Sequence, residues 1–190
     1  IYVVGSVEYQ YPNHLFQAGY FLDKKYYDEN TIDFKHLLLS EKNQSLLKDI
    51  QNSNSVGVHI RRGDYMTKQN LVIFGNICTQ KYYHDAIRII TEKVNDAVFY
   101  VFSDDISWVQ THLDIPNAVY VNWNTGESSI YDMYLMSSCK YNIIANSTFS
   151  YWAARLNKKT NMVIYPSKWY NTFTVSYTHL RAHETRRHLV

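Results

Sequence analysis

The sequence predicts an α/β fold in which a mostly parallel sheet is covered by helices on both faces. Short apolar runs rich in β-branched and aromatic residues recur from residue 56 onward. Segments with apolar residues at helical spacing separate these runs. Strands that alternate with helices in this way form parallel sheets, because each helix is the crossover between two strands.

Five apolar runs and five helical segments are the predicted elements. The strands are predicted over 56–60, 97–102, 118–121, 142–145 and 162–165, and the helices over 45–50, 80–94, 105–113, 128–138 and 148–156. One helical face carries Tyr83, Ala86, Ile87, Ile90 and Val94. Right-handed crossovers bring the carboxyl ends of all strands to one edge, where open α/β sheets bind ligands.

The chain, at 190 residues, is predicted to hold one domain and part of another. A polar run at 51–55 indicates a connection, so we assign 1–53 to the remnant of an N-terminal domain and 54–174 to a C-terminal domain. Residues 175–185 match the conceptual translation of a transposon-end sequencing adapter, so we predict that 175–190 is a non-native tail. Because the first residue is Ile and not Met, we expect the chain to begin inside a longer protein.

The composition excludes several classes of protein. A hydrophobic content of 46% is too high for a disordered chain, and a formal net charge of +2 argues against nucleic-acid binding through bulk charge. No run approaches the ~18 apolar residues of a membrane span. The two cysteines fit a reducing compartment rather than a disulfide framework.

Arg61 and Arg62 follow the first strand of the predicted sheet and are candidate phosphate ligands. His59 lies two residues before Arg61 and therefore on the same side of the strand. The planar guanidinium group can donate two hydrogen bonds to a pair of phosphate oxygens, and it stays charged at neutral pH. The structural alternative is an ion pair with Asp64 that only closes a turn. Residues 62–64 also spell the adhesion tripeptide R-G-D, which is common by chance.

Two further polar clusters follow later strands. Asp104 and Asp105 are suited to a ribose or a guanine base, to a metal ion or to capping the next helix, but as adjacent residues they do not form a metal-binding D-x-D. Ser147, Thr148 and Ser150 lie where a strand runs into a helix, whose free N–H groups favour an anion; an ordinary N-cap is the alternative. Together with the arginines these clusters fit a nucleoside diphosphate. The chain contains neither G-x-x-x-x-G-K-[ST] nor G-x-G-x-x-G, which disfavours ATPase and dinucleotide-binding functions.

Three motifs resemble those of the α-1,2-fucosyltransferases, glycosyltransferase family 11. They are H-x-R-R-G-D-Y at 59–65, F-S-D-D at 102–105 and N-S-T-F-S-x-W at 146–152, and the resemblance covers about residues 1–174. Two departures stand out. Y-W-A-A-R at 151–155 replaces the family's W-W-G-A-W, and its N-terminal G-G-L-G-N-Q is absent from this sequence.

The resemblance implies a GT-B-like, Rossmann-like fold, with an acceptor-side domain of which only a remnant is expected here. It implies transfer of L-fucose from GDP-fucose to a galactoside hydroxyl of a glycan, in α-1,2 linkage, with inversion and without a metal or other cofactor. It also implies polysaccharide biosynthesis, no nucleic-acid partner, and a cytoplasmic enzyme peripherally associated with the inner face of the membrane. The residues implied to bind the donor are Arg61 at the β-phosphate, assisted by His59 and Arg62, Asp105 at the guanine, and Ser147, Thr148 and Ser150 at the phosphates.

Arg61 and Asp64 are the predicted catalytic residues. Asp64 is the carboxylate nearest to the arginines and is the candidate general base, a supporting ion pair with Arg61 or Arg62 being the alternative. Glu8 and Asp23 are further candidates for the base. Three other functions stay open at this point: transfer from a different GDP-sugar, a nucleotide- or glycan-binding module without catalysis, and a structural α/β domain without a ligand.

Overall fold

The computed structural model describes residues 33–171, together with the backbones of 7–11 and 14–18. The two short segments are strands β1 (Val7–Tyr11) and β2 (His14–Ala18), which form an antiparallel hairpin. The described chain from Phe34 onward forms a separate compact unit around a second sheet. The predicted tail at 175–190 lies outside the described residues.

The main unit alternates strands and helices along the chain. Its elements are α1 (Glu41–Asn52), β3 (Asn54–Ile60), a 3₁₀ turn (Gly63–Met66), α2 (Lys68–Phe74), α3 (Gln80–Lys93), β4 (Ala97–Ser103), α4 (Ile106–His112), β5 (Ala118–Val121), a second 3₁₀ turn (Gly126–Ser128), α5 (Ser129–Ser137), β6 (Tyr141–Ile143), α6 (Thr148–Leu156) and β7 (Met162–Ile164).

The sheet of the main unit is parallel and has the strand order β5-β4-β3-β6-β7. Strand β3 is central and pairs in parallel with β4 on one side and β6 on the other. It is buried from Ser55 to Ile60, as a strand covered on both faces must be. The predicted fold class is confirmed, and the sheet is of the Rossmann-like kind expected in a GT-B-like architecture.

Helices cover both faces of the sheet, as predicted. On one face, Val58 of β3 and Phe99 of β4 share a core with Ile90 of α3 and Val109 of α4. On the other face, α5 packs against β3 and β4, and α6 packs against α5. The helical face predicted for α3 is confirmed, because Tyr83, Ala86, Ile87, Ile90 and Val94 are all buried.

Helix α1 belongs to the unit around the sheet, since it packs against β3 and α5. It begins after Ser40, whose hydroxyl accepts the backbone N–H of Asn43. The sequence predicted only residues 45–50 of this helix, and the predicted connection at 51–55 is wrong: Ser53 alone separates α1 from β3. The run is polar because its first residues are the exposed last turn of the helix and not a linker.

The segment between β3 and α3 contains the first 3₁₀ turn and α2, neither of which the sequence predicted. Helix α2 begins after Thr67, whose hydroxyl accepts the backbone N–H of Asn70. Its last residues, 71–74, are uniformly apolar and therefore show no helical period. The largely exposed Val72 explains the missing pattern, because this helix does not bury one apolar face.

Cys78 and Cys139 are both free thiols, the first partly buried and the second fully buried. Desolvation raises the pKa of the Cys78 thiol to about 12. In the part of the chain that the structure describes, no helix is long and apolar enough to cross a membrane. The assignment of 1–53 and 54–174 to two domains stays a prediction.

Gly57 of β3 is expected to tolerate no side chain. A Cβ there would lie 2.8 Å from Asn142 Nδ2 and 3.0 Å from Met136 Cγ. The Asn142 amide cannot move freely, because it donates to the Met136 carbonyl at 2.9 Å. We expect Gly57→Ala to lower the free energy of unfolding by about 1–3 kcal/mol, measured by urea unfolding.

Gly126 offers the matched control for that experiment. Its φ is 59° and nothing lies within 4 Å of a Cβ built there. Asparagine tolerates this left-handed conformation, so Gly126→Asn is expected to change the free energy of unfolding by less than about 0.5 kcal/mol. A Gly57→Ala variant as stable as the wild type would contradict the tight packing of β3 against α5.

Candidate functional site

The strand order places the topological switch point of the sheet between β3 and β6. From β3 the chain builds β4 and β5 on one side of the sheet and then crosses back to build β6 and β7 on the other. Open parallel sheets bind ligands outside the carboxyl ends of the strands, where the strand order reverses. Arg61 directly follows β3, and Asn146 lies in the short loop between β6 and α6.

The structure brings together the three segments that the sequence singled out. Arg61, after β3, forms an ion pair with Asp104, after β4. The Tyr65 hydroxyl, from the 3₁₀ turn that follows the arginines, donates to the Asn146 carbonyl at 2.8 Å. The clusters at the ends of β3, β4 and β6 therefore form a single site.

The Arg61 guanidinium is held on three sides. Its Nη2 donates to Asp64 Oδ1 at 2.6 Å, and its Nη1 contacts Asp104 Oδ2 at 2.9 Å. Its central carbon lies 5.7 Å from the ring centroid of Tyr65, within cation–π range. Two carboxylates, each on a different terminal nitrogen, and an aromatic face thus orient the fork of Arg61 at the sheet edge.

Arg62 connects the end of β3 to the start of α4. Its Nε donates to Asp105 Oδ2 at 3.1 Å, and its guanidinium carbon lies 3.7 Å from the ring centroid of Trp108. Trp108 in turn stacks on His112, with centroids 4.5 Å apart. With its charge paired and its plane covered, Arg62 is more firmly engaged inside the chain than Arg61.

Asp105 is the N-cap of α4. Its Oδ1 accepts the backbone N–H of Trp108 at 3.1 Å, while its Oδ2 accepts from Arg62. The hydrogen bond from Trp108 and then that from Arg62 hold the pKa of Asp105 below its usual value. The capping role that the sequence left open is therefore observed, and the contact with guanine stays a prediction.

Carboxylates outnumber guanidinium groups in this cluster. Arg61 and Arg62 face Asp64, Asp104 and Asp105, so the ionised cluster is net negative. The sequence predicted the two arginines as phosphate ligands and did not predict this excess of carboxylates. It singled out Asp104 but did not predict its ion pair with Arg61, although parallel pairing of the two strands places the two residues opposite one another.

His59 lies beneath the arginines and is neutral. Only 5% of it is exposed, and its ring is 5.0 Å from that of Phe149 on α6. Desolvation, followed by the positive charge of Arg61, lowers the pKa of His59 to about 3. Its buried Nδ1 has no hydrogen-bond partner among the described residues. His59 therefore adds hydrogen-bonding capacity to the site but no positive charge.

The start of α6 presents its backbone without a side-chain cap. Ser147 is the N-cap residue, yet its side chain makes no capping hydrogen bond, and Thr148 is the half-buried first residue of the helix. The Ser150 hydroxyl is fully buried and lies 3.2 Å and 3.3 Å from the Ala145 and Ser147 carbonyls, to which it donates. Ser150 thus stabilises the turn into α6 from within. The phosphate contacts predicted for these three residues stay predictions.

Of the three candidate bases, Asp64 is the one whose side chain lies in the described part of the chain. The Asp64 side chain is 54% exposed and paired with Arg61, as the structural alternative expected. The side chains of Glu8 and Asp23 lie outside the described residues. Among the described residues, no group of three His, Cys, Asp or Glu side chains is placed to hold a metal ion.

Asp132 of α5 is a carboxyl that sequence reasoning missed. Asn124, after β5, donates to its Oδ1 at 2.6 Å and also to Asn43 Oδ1 of α1 at 3.1 Å. The Trp123 indole N–H donates to the same Asn43 oxygen at 2.8 Å. Desolvation raises the pKa of Asp132 to about 7, and the Asn124 hydrogen bond opposes that shift only in part. No sequence motif predicts this network, because its members come from three separate segments of the sequence.

The chain is similar in sequence to several known glycosyltransferases. The sequence model of Glycosyl transferase family 11 matches residues 8–182. The chain is 35% identical over 176 residues to an alpha-1,2-colitosyltransferase from Escherichia coli, covering 87% of this chain and 57% of the relative. It is 44% identical over 122 residues to the O-antigen biosynthesis glycosyltransferase WbnK of Escherichia coli, covering 63% and 40%. It is 29% identical over 128 residues to a galactoside alpha-(1,2)-fucosyltransferase 2 of Pongo pygmaeus, covering 64% and 37%.

The chain thus spans between 37% and 57% of the length of these relatives. A crystal structure of the fucosyltransferase NodZ from Bradyrhizobium superposes with a TM-score of 0.43 and 19% identity, covering 60% of this chain and 40% of that one. The family match ends at residue 182, inside the segment 175–190, whose non-native origin stays a prediction.

The raised pKa of Asp132 makes the stability of the fold depend on pH. The folded carboxyl keeps its proton up to about pH 7, whereas the unfolded chain loses it near 3.8. The folded state therefore binds more protons and loses stability as the pH rises from 4 to 7. Asp132→Asn keeps the acceptor for Asn124 and cannot ionise. We expect its free energy of unfolding to equal that of the wild type at pH 4 and to exceed it by about 2–4 kcal/mol at pH 8.

Urea unfolding of both proteins across this pH range measures the effect, since other titrating groups cancel in the difference. Asp85→Asn is the control: Asp85 is exposed on α3 and its pKa is lowered by Lys81, so its removal should act in the opposite direction. A difference between Asp132→Asn and wild type that stays constant with pH would contradict the assignment.

Proposed function

The chain belongs to glycosyltransferase family 11, and from this we propose that it transfers L-fucose from GDP-fucose to a galactoside hydroxyl of a glycan. The new linkage is α-1,2 and the configuration at the anomeric carbon inverts. The observation that carries the proposal is Arg61, a permanently charged fork oriented at the switch point of a parallel sheet. Family membership supports glycosyl transfer; the donor, the acceptor and the stereochemistry are parts of the proposal.

The donor diphosphate replaces Asp64 on Arg61. The guanidinium has five N–H donors, and its two carboxylate partners account for only part of them. Of those partners, Asp64 is 54% exposed and Asp104 only 26%, so Asp64 is the one that solvent already reaches. The diphosphate of a GDP-sugar carries one negative charge on each phosphate. Two oxygens of one phosphate can accept from the guanidinium fork in place of the carboxylate, and this exchange leaves the cation neutralised throughout.

Charge stabilisation at the leaving group supplies the main catalytic effect. As the bond between the anomeric carbon and the β-phosphate oxygen breaks, its electron pair stays on GDP. Arg61 and the uncapped N–H groups at the start of α6 meet this growing charge from preorganised positions. No metal is needed for this step in our proposal, and the neutral His59 contributes a hydrogen bond rather than charge.

Asp64, once released from Arg61, is the proposed general base. The acceptor hydroxyl oxygen attacks the anomeric carbon on the face opposite to GDP, and its proton passes to the Asp64 carboxylate. The bond that forms and the bond that breaks lie on opposite faces, which inverts the configuration. Donor binding would then free the base, because both processes involve the same guanidinium.

A second donor is favoured by one comparison. The relative that is 35% identical over 176 residues is named an alpha-1,2-colitosyltransferase. Colitose lacks one hydroxyl of fucose, and a site that hydrogen-bonds this hydroxyl would reject the deoxy sugar strongly. Competition between GDP-fucose and GDP-colitose for the same acceptor distinguishes the two proposals. Faster transfer from GDP-colitose than from GDP-fucose would show that colitose, and not fucose, is the donor sugar.

Arg61→Ala tests the site itself. We expect it to lower the rate of fucosyl transfer to lactose by about 100-fold or more, because it removes the side chain that stabilises the leaving diphosphate. We also expect weaker binding of GDP in calorimetry. Arg88→Ala is the matched control: Arg88 lies on α3 and pairs with Glu92 at the surface, so its removal should change neither quantity. Turnover by Arg61→Ala within a few-fold of wild type would contradict the proposal.

The wild-type protein separates the remaining functions. Binding of GDP together with transfer supports the proposal. Binding of GDP without transfer to any galactoside indicates a nucleotide-binding module, and the absence of heat and of thermal stabilisation by GDP indicates a structural domain. Both of these outcomes contradict the proposed enzyme.

A further inference from the structure

We infer that Asp104 is the positioning residue of this site, and that position 63 is glycine because the Asp104 carboxylate occupies the space of a side chain there. The inference rests on the proposed function, since it assigns Asp104 to the orientation of Arg61, the proposed diphosphate ligand. Asp104 does not itself contact the donor in this account. It acts by holding the guanidinium in one orientation before and after the donor binds.

Asp104 holds the end of β3 at two points. Its Oδ1 accepts the backbone N–H of Arg62 at 2.9 Å, and its Oδ2 lies 2.9 Å from Arg61 Nη1. One oxygen therefore fixes the backbone from which Arg61 projects, and the other fixes the tip of its side chain. The sheet supplies the rigid frame, because Ile60 and Ser103 are paired in register immediately before these residues.

Gly63 is explained by the same carboxylate. A Cβ at Gly63 would overlap Asp104 Oδ2, which is its nearest neighbour, and would lie 3.2 Å from Asp104 Cγ. A side chain here would displace the oxygen that holds Arg61. Gly63 is not among the described glycines with positive φ, so the requirement is for space and not for an unusual backbone.

The three aspartates of the cluster have different roles. Asp105 caps α4, so that helix keeps its cap when Asp104 is changed. Asp64 is the more exposed partner of Arg61 and is the one that the donor displaces in the proposed mechanism. Asp104, 26% exposed and bonded to the backbone, is the partner that stays.

Removal of the Asp104 charge should affect KM and kcat differently from removal of a residue that binds the donor. A residue that only bound the donor would raise KM when removed. Removal of a carboxylate beside a diphosphate site removes a competing anion, so donor affinity should hold or improve. The turnover number should fall, because a poorly oriented guanidinium no longer meets the leaving oxygen. A fall in kcat without a rise in KM therefore identifies the positioning role.

Arginine side-chain NMR tests the orientation directly. In the wild type, the two ion pairs hinder rotation of the Arg61 guanidinium, so we expect resolved Nη–H resonances, assigned by their loss in Arg61→Lys. Asp104→Asn retains an amide oxygen for the Arg62 N–H and removes the ion pair. Gly63→Ala keeps the charge and displaces the carboxylate. Both are expected to broaden or merge these resonances, and Asp85→Asn on α3 to leave them unchanged.

Kinetics of the same variants give the functional measurement. Asp104→Asn and Gly63→Ala are each expected to lower kcat for fucosyl transfer by about 10- to 100-fold. Their KM for GDP-fucose should stay within about three-fold of wild type. Because both substitutions act through Asp104 Oδ2, the double variant should lose no more than the worse single variant. Asp85→Asn should match the wild type.

The results separate this inference from the proposed function. Persistent Arg61 resonances in both variants, or kcat losses that multiply in the double variant, would overturn the positioning role. A wild type that neither binds GDP nor transfers a sugar would overturn the proposed function, while the resonances still decide whether Asp104 orients Arg61. Should Gly63→Ala fail to fold, the near-isosteric Asp104→Asn retains both measurements.

Discussion

The parallel register between β3 and β4 is the constraint on which the site depends. Because Ile60 is paired with Ser103, the next residue of each strand, Arg61 and Asp104, leaves the sheet side by side. Each side chain projects from the residue that directly follows a strand. The buried core beneath β3, with Gly57 packed closely against its neighbours, keeps that register from shifting, since a slip of one residue would turn every buried side chain to the wrong face.

A second consequence of this register is that the site provides its own counterions. Two guanidinium groups so close together would repel one another and would be costly to hold without partners. Three carboxylates remove that cost, and they make the cluster itself net negative rather than positive. An incoming diphosphate in our proposal exchanges with a carboxylate instead of filling an empty positive pocket. Preorganisation of this kind is what electrostatic catalysis requires, because the donors need not reorient as charge develops.

The two adjacent arginines of the motif, Arg61 and Arg62, have different surroundings and different roles. Arg61 has an exposed partner that can be exchanged, whereas Arg62 is covered by Trp108 and tied to the cap of α4. The same division holds at α6, where the Ser150 hydroxyl stabilises the turn internally while the backbone N–H groups carry no side-chain cap. In our proposal, the H-x-R-R-G-D-Y motif therefore combines a residue that meets the donor, Arg61, with one that shapes the loop presenting it, Arg62.

The sequence by itself determined the order of strands and helices, the buried face of α3 and the segments that meet at the sheet edge, because these follow from local periodicity and from the handedness of crossovers. It did not predict α2, whose apolar residues lie at the surface without a period. Only the tertiary structure decided the partners: Arg61 with Asp104, Arg62 with Trp108, and Asp132 with Asn124. The physical reason is that charge pairing and desolvation depend on distances between elements far apart in the chain, which no local pattern encodes.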